Sequence, residues 1–149
     1  PEFVINNNSI FEGRVKAIHV PPERAIDIDT LLGKCSSDAE YTTKGSTADL
    51  NTGSAWNNSG PLLNRWFKFT APSTQAAEIT VDIDGLKGDQ TRTQLALWSD
   101  DGVTEISSAR YSSNSDDVTV GSISLTSGDT YYLSVDVNNY QYAGSFSLC

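Results

Sequence analysis

Apolar and polar residues alternate with a period of two over much of this chain, which is the pattern of β-strands that bury one face. In the run 78–84, for example, Ile79, Val81 and Ile83 fall on one side and polar residues on the other. The other clear runs are 65–70, 94–99, 130–137 and 145–148. These segments are predicted strands, and their apolar faces are the predicted core.

Residues 118–125 form a further predicted strand whose phase changes at its centre. Val118 and Val120 share one phase, whereas Ile123 takes the opposite one. Gly121 lies between the two halves, which predicts a β-bulge or kink at that point. Weaker strands are predicted at 14–20, 25–32 and 40–43.

Short clusters of Gly, Asp, Asn and Ser separate the strands, at 84–85, 87–89, 100–102, 127–129 and 138–139. Such residues favour tight turns, and no segment has a convincing helical period. Seven or more short strands with one apolar face each predict an all-β fold, a jelly-roll-like sandwich of two antiparallel sheets. Residues 36–62 predict a long irregular connection, and no linker divides the chain 1–149 into domains.

The composition adds expectations about the origin of the chain. Hydrophobic residues make up 38% of it, and Ser and Thr supply 33 of its 149 residues. Small hydroxyl side chains suit the solvent face of strands and their turns. Because the chain contains no Met, we expect a fragment of a longer protein, with 1–3 as cloning residue, 4–23 as an N-terminal strand or extension and 24–149 as the core.

The net charge of −9 is unevenly distributed. Residues 1–75 carry 7 basic and 8 acidic side chains, whereas residues 76–149 carry 3 basic and 11 acidic ones. The acidic half would repel a phosphate backbone or an anionic membrane surface, so we expect no nucleic-acid partner. No apolar run approaches the roughly 20 residues that span a bilayer, so we expect no membrane insertion.

The two cysteines, Cys35 and Cys149, lie far apart and lack metal-ligand spacing. In an oxidising compartment they would form a disulfide that closes most of the domain, worth about 4 kcal/mol in the chain-entropy model. The alternative is one buried thiol and one thiol near the end of the chain. The sequence leaves both open.

The residues favour no catalytic chemistry. The single histidine, His19, lies among apolar residues of a predicted strand, and no motif places a nucleophile beside it. Nucleophile-elbow, phosphate-loop and zinc-helix motifs do not occur. Acidic pairs such as Asp116 and Asp117 lie in turns, where solvation explains them. We therefore interpret the chain as a binding module and not as an enzyme.

Calcium is the one metal that the sequence suggests. Asp82 and Asp84 share a strand face, and Asp89 follows after a Gly-containing turn. Hard oxygen ligands that converge on a turn suit calcium, although the spacing is not that of a twelve-residue calcium loop. A solvated acidic turn is the alternative. Asp100, Asp101 and Glu105 are a second, weaker calcium candidate.

Aromatic residues in polar loops are the candidate ligand-binding residues, because sugar rings stack on exposed aromatic faces. The candidates are Trp56, Tyr111, Tyr140 and Tyr142. For each of them packing against the domain is the alternative, and for the tyrosines it is the favoured one. Trp66 and Trp98 lie on the strand face opposite the aliphatic residues, where they are either exposed or packed.

A succession of segments resembles the bacterial pre-peptidase C-terminal family, in the form found in secreted and surface proteins of the Bacteroidetes. It comprises Trp-Phe-Lys-Phe-Thr-Ala-Pro at 66–72, Leu-Ala-Leu-Trp at 95–98, Leu-Thr-Ser-Gly-Asp-Thr-Tyr-Tyr-Leu at 125–133 and Gly-Ser-Phe-Ser-Leu at 144–148. Ala25-Ile26 followed by Cys35 is similar to the family's opening segment. The chain departs from the family at Thr93, where members often carry Asp, and it lacks the acidic N-terminal cluster that some collagen-binding members use for calcium.

The resemblance implies a β-sandwich appended to secreted proteases, glycanases or adhesins, which aids secretion or binds an insoluble target. Our leading hypothesis is a secreted or cell-surface accessory module that binds a polysaccharide or another surface polymer and is attached to a parent polypeptide. The alternatives are a structural spacer or adhesin domain without a small ligand, and a calcium-stabilised module that binds a collagen-like protein. A spacer predicts a buried Trp56 and no aromatic platform on the surface.

Overall fold

The computed structural model describes residues 25–83 and 88–149. Their strands are β1 (Ile26–Asp27), β2 (Tyr41–Thr42), β3 (Arg65–Thr70), β4 (Gln75–Asp82), β5 (Thr93–Trp98), β6 (Glu105–Arg110), β7 (Val118–Leu125), β8 (Thr130–Val137) and β9 (Ser145–Leu148). Two short 3-10 turns lie at Asp29–Leu31 and Tyr140–Tyr142. Within these described residues, no helix has the length and apolar character needed to cross a membrane.

The strands form two sheets, which confirms the predicted all-β sandwich. Among the described residues, one sheet has five strands in the order β1-β3-β8-β5-β6, and the other has four in the order β2-β9-β4-β7. Every pair is antiparallel except β1 and β3, which run parallel. Neighbouring strands in each sheet therefore mostly run in opposite directions. The end of one strand then lies beside the beginning of its neighbour, at the same end of the sheet.

The inner faces of the two sheets form the main core. Phe67, Leu97 and Leu133 of the five-stranded sheet are fully buried, as are Val81 and Phe146 of the other sheet. Phe67 and Phe146 meet edge to face, with ring centroids 6.1 Å apart. This core is the one that the period-two pattern predicts, because alternate residues of each strand point to the same face.

A second core covers the outer face of the five-stranded sheet. The connection between β2 and β3 crosses this face and places Trp56 against Trp66 and Trp98. The Trp98 indole donates to the Ser134 hydroxyl at 2.9 Å. Gly53 is needed for this close approach, since a Cβ at that position would lie 2.8 Å from the Trp56 indole nitrogen. Both faces of the central strand β5 are consequently buried along its whole length.

The predicted change of phase in 118–125 is an observed register shift. Ala77 pairs with Ile123, but Ile79 pairs with Val120, so two residues of β7 lie opposite one residue of β4. The bulge re-aims the second half of β7, which lets Ile123 point to the core alongside Val120.

The segment predicted as a strand at 25–32 is different in the structure. Only Ile26–Asp27 pairs in the sheet, and a 3-10 turn follows at Asp29–Leu31. The Asp27 carboxylate accepts from the Asp29 backbone N–H at 3.0 Å, which turns the chain away from the sheet. The predicted strand at 14–20 and the His19 that it carries lie outside the described residues.

Cys35 and Cys149 are joined by a disulfide across a sequence separation of 114 residues. The bond ties the segment after the first 3-10 turn to the end of β9. The Ser36 backbone N–H donates to the Leu148 carbonyl at 2.8 Å beside it.

Candidate functional site

One end of the five-stranded sheet gathers several polar and aromatic side chains that are distant in sequence. β5 begins at Thr93, and its antiparallel neighbours β6 and β8 end at Arg110 and Val137 on either side. The residues next to these strand ends are therefore neighbours in space. We call the resulting cluster the tyrosine–amide patch, and it consists of Asn57, Arg92, Tyr111, Asn138 and Tyr142.

The hydroxyl of Tyr111 is the centre of the patch. It accepts a hydrogen bond from the Asn57 side-chain amide at 3.0 Å and another from the Asn138 amide at 2.8 Å. A tyrosine hydroxyl offers two acceptor sites and one donor. Both acceptor sites are used here, and no described residue accepts from the O–H, so its hydrogen remains for a further acceptor.

Arg92 links the two tyrosines of the patch. Its guanidinium lies 4.5 Å from the Tyr142 ring centroid and 5.9 Å from that of Tyr111, within cation–π range. The Arg92 Nε–H donates to the Asn114 side-chain oxygen at 2.8 Å. The residue has a φ of +52°, a conformation that non-glycine residues seldom adopt. The guanidinium is thus held in one place between the rings.

The patch is anchored to the buried second core through Gln94. This residue is completely buried, and its side-chain oxygen accepts from the Asn57 backbone N–H at 2.8 Å. The Asn57 side-chain oxygen in turn accepts from the Arg110 guanidinium. Two atoms beneath the patch have no hydrogen-bond partner, namely the Gln94 side-chain nitrogen and the Asn138 side-chain oxygen. A buried donor and a buried acceptor without partners are costly, and both atoms are enclosed by the protein.

A buried carboxylate lies next to the patch in the sheet register. Asp136 is opposite Gln94 and fully buried. Its oxygens accept from the backbone N–H groups of Leu62, Leu63 and Val137 at 2.8–2.9 Å. Burial raises the pKa of Asp136, although these three hydrogen bonds act in the opposite direction. Its role in the fold is to hold the end of the β2–β3 connection on the sheet.

The four predicted ligand-binding aromatics have different positions. Tyr111 and Tyr142 lie in the patch, and Tyr140 belongs to the same 3-10 turn as Tyr142 with 63% of its surface exposed. The prediction that Trp56 binds a ligand is corrected by the structure. Its side chain is only 6% exposed, and its indole N–H donates to the Leu95 carbonyl at 3.1 Å. An indole enclosed in this way has no face for a sugar ring, so Trp56 is a packing residue.

The predicted calcium ligands are only partly described by the structure. Asp89 accepts from the Lys44 ammonium and from the Ser145 backbone N–H, both at 2.6 Å. Its pKa is lowered chiefly by the hydrogen bond from Lys44. Asp82 is half-buried on β4, and Asp84 lies outside the described residues. In the described part of the chain, no three acidic, His or Cys side chains are grouped to hold a metal, and the calcium site stays a prediction.

At the second calcium candidate, the carboxylates of Asp101 and Glu105 already accept hydrogen bonds from the protein. The Asp101 carboxylate accepts from the Thr104 hydroxyl and from the Val103 and Thr104 backbone N–H groups at 2.6–2.8 Å. These bonds hold its pKa well below the usual range. Glu105 accepts from the backbone and hydroxyl of Ser54 at 2.5 and 2.6 Å. The two carboxylates therefore stabilise a turn and the β2–β3 connection.

An apolar groove of about 570 Å³ lies elsewhere, beside the disulfide. Leu31, Phe69 and Leu133 are among its lining residues. Hydrocarbon side chains supply few hydrogen-bonding groups, whereas the patch supplies several within a small area. The patch is consequently the better candidate for a polar ligand. The sequence signal that could have found it is the position of its residues directly beside three strand ends.

Comparison with known proteins identifies similar structures but no matching sequence. No protein-family model matches the chain, and no curated protein matches it, so the resemblance to the pre-peptidase C-terminal family stays a prediction. The chain is similar to the CBM36-1 domain of a multidomain xylanase from the hindgut metagenome of Trinervitermes trinervoides, with 15% identity, a TM-score of 0.40 and coverage of 72% of this chain and 90% of that one. It is also similar to a family 35 carbohydrate binding module from an environmental isolate (15% identity, TM-score 0.39, coverage 70% and 81%). A third similar structure is CBM35 from Cellvibrio japonicus Abf62 (12% identity, TM-score 0.38, coverage 73% and 83%). At this distance the three structures say nothing about what this chain binds.

Proposed function

We propose that this chain is a non-catalytic carbohydrate-binding module and that the tyrosine–amide patch, with Tyr140 beside it, holds the glycan. The observation that carries the proposal is the bonding of Tyr111, whose hydroxyl accepts from Asn57 and Asn138 and keeps its own hydrogen for a ligand. A donor of this kind suits sugar hydroxyls, each of which both donates and accepts.

The patch is also suited to binding because its side chains are already held in place. The Asn57 side chain is held by Tyr111 and Arg110, and the Arg92 guanidinium lies between Tyr111 and Tyr142. Side chains that are ordered before binding lose little conformational entropy when a ligand arrives. Tyr140 adds an exposed ring of the kind on which a sugar face stacks.

We further propose that the module works outside the cell as part of a larger polypeptide. The Cys35–Cys149 disulfide supports this, because disulfides persist in oxidising compartments. The family resemblance adds a parent enzyme or adhesin of the secreted type, and the acidic composition disfavours nucleic acid as the partner.

The test is a glycan array that spans plant, fungal and bacterial polysaccharides, probed with and without calcium. We expect the wild-type protein to bind one class of glycan, and Tyr111→Ala and Tyr140→Ala to weaken that binding at least about tenfold. Ile106→Ala is the matched control, because Ile106 is 39% exposed and lies towards the other end of β6. Retained binding by both tyrosine variants would disprove the assignment of the site.

A structural spacer is the second candidate function, and the burial of Trp56 favours it. This candidate predicts that the wild-type protein binds no glycan on the array in either condition. The exposed ring of Tyr140 favours the binding module, because a spacer needs no aromatic side chain at the surface.

A further inference from the structure

A polar cavity, separate from the apolar groove, lies where the loop after β2 crosses the beginning of β3. It measures about 230 Å³, and its lining includes Ser46, Asp49, Asn64, Arg65 and Trp66. The cavity shares no lining residue with the tyrosine–amide patch. It is smaller than the roughly 300–1,000 Å³ of pockets that hold drug-sized ligands, so it admits one ring and not a chain.

The protein fixes the main chain of Asp49, which lines the cavity. The Asp49 backbone N–H donates to the Asn64 side-chain oxygen at 2.9 Å, and its carbonyl accepts from the Asn64 amide at 2.7 Å. The same carbonyl accepts from the Trp66 indole at 3.3 Å. No described residue donates to the Asp49 carboxylate. The acceptor is therefore positioned by backbone contacts and is free to accept from a ligand.

Of two other polar side chains in the lining, Arg65 is available to a ligand, whereas the Ser46 hydroxyl is enclosed. The Ser46 hydroxyl is buried and has no hydrogen-bond partner. Arg65 donates one hydrogen bond, at 3.4 Å to the Thr42 carbonyl, which leaves its other guanidinium N–H groups free. Arg65 and Asp49 line the same cavity without forming an ion pair within 4.0 Å. The lining thus presents separate donors and acceptors with no net charge.

We infer that this cavity binds a single neutral sugar residue, so that the module carries a second carbohydrate site. The inference rests on the carbohydrate class of the proposed function and adds a ligand size and a location. A neutral polyol both donates and accepts, so it can use the Asp49 carboxylate and the Arg65 guanidinium together. An anion attracted by Arg65 would be repelled by Asp49, and a cation attracted by Asp49 would be repelled by Arg65, so the lining favours neither sign of charge.

The test is a titration of the isotopically labelled protein with glucose, galactose, mannose and xylose, followed by NMR up to about 50 mM, well above millimolar affinity. We expect one or more sugars to shift the Trp66 indole and Asp49 amide signals to saturation. Asp49→Ala should weaken this binding at least about tenfold, because it removes a charged hydrogen-bond acceptor and none of the backbone contacts. Ser46→Ala should leave sugar binding unchanged and the unfolding midpoint unchanged or higher, because the enclosed hydroxyl has no partner and reaches no ligand.

Asp38→Ala is the matched control, since Asp38 is exposed and does not line the cavity. Tyr111→Ala should leave these shifts unchanged, which separates the cavity from the patch and a failure here from a failure of the proposed function. The inference is overturned if none of the four sugars shifts the signals, if Asp49→Ala binds as tightly as the wild type, or if glycine or serine shifts them in place of sugars.

Discussion

The side-chain amide of Asn138 donates a 2.8 Å hydrogen bond to the hydroxyl of Tyr111, although the two residues are 27 positions apart. They meet because Tyr111 follows β6 and Asn138 follows β8, and both strands end beside the beginning of β5. The contact is thus a consequence of sheet register. The candidate site depends on the same register.

Removal of the Tyr111 hydroxyl should loosen the patch. Tyr111→Phe leaves the amides of Asn57 and Asn138 without their shared acceptor, so we expect the free energy of unfolding to fall by about 1–3 kcal/mol. Urea denaturation measures this change. Tyr140→Phe is the control, because the Tyr140 side chain is 63% exposed and its hydroxyl stays solvated. Equal stability of the two variants would show that the hydroxyl is not the centre of the patch.

Much of the fold could be predicted from the sequence because burial on one face leaves a period of two. The strands at 65–70, 130–137 and 145–148 have the predicted bounds. Strand β6 was missed since it is an edge strand in which Ser and Ala fill three of the six positions, and its Ile106 is exposed. With little apolar side chain to bury, it leaves no alternation to detect.

The candidate site could be predicted only in part. Tyr111 and Tyr142 stand out as aromatics in polar loops, but nothing in their local sequence indicates Asn57 or Arg92 as neighbours. Trp56 stands out for the same reason and is nonetheless buried, because the β2–β3 connection folds back onto the sheet. Local composition does not distinguish a loop that faces solvent from one that covers a sheet.

Truncation of Trp56 should damage the fold. Trp56→Ala empties the second core beside Trp66 and Trp98 and breaks the hydrogen bond to the Leu95 carbonyl. We expect a loss of about 3–5 kcal/mol in the free energy of unfolding, typical of large aromatic truncations in cores. Chemical denaturation followed by far-UV circular dichroism measures it. A variant with wild-type stability and no glycan binding would instead show that Trp56 is a ligand-binding residue.

The buried carboxylate of Asp136 should make stability depend on pH in a defined direction. Its pKa is raised in the folded protein by burial, so its contribution is fully present below the unfolded pKa of about 3.9 and is lost as pH rises through the folded pKa. Relative to Asp136→Asn, the wild type should therefore gain stability as pH falls from 7 to 4. Urea midpoints of the two proteins at pH 7, 5 and 4 give the difference. A difference that is constant, or that shrinks towards acid, would contradict the burial effect.

The disulfide should contribute a large part of the stability. A loop closed across 114 residues is worth about 4–5 kcal/mol in the chain-entropy model. We expect the double variant Cys35→Ser, Cys149→Ser to unfold at a lower urea concentration by a corresponding amount. Addition of a reductant should lower the wild-type midpoint to that of the variant and leave the variant unchanged. An unchanged wild-type midpoint on full reduction would refute this contribution.

The most direct test of the account is to observe the side-chain amides of the patch while a glycan binds. Cellohexaose, xylohexaose, mannohexaose and chitohexaose would each be titrated into the isotopically labelled protein by NMR. We predict that at least one of them shifts the Asn57 and Asn138 side-chain amide signals, and that Tyr111→Ala abolishes the shift. The account is contradicted if a hexasaccharide binds while those two amide signals stay unmoved, or if none of the four binds.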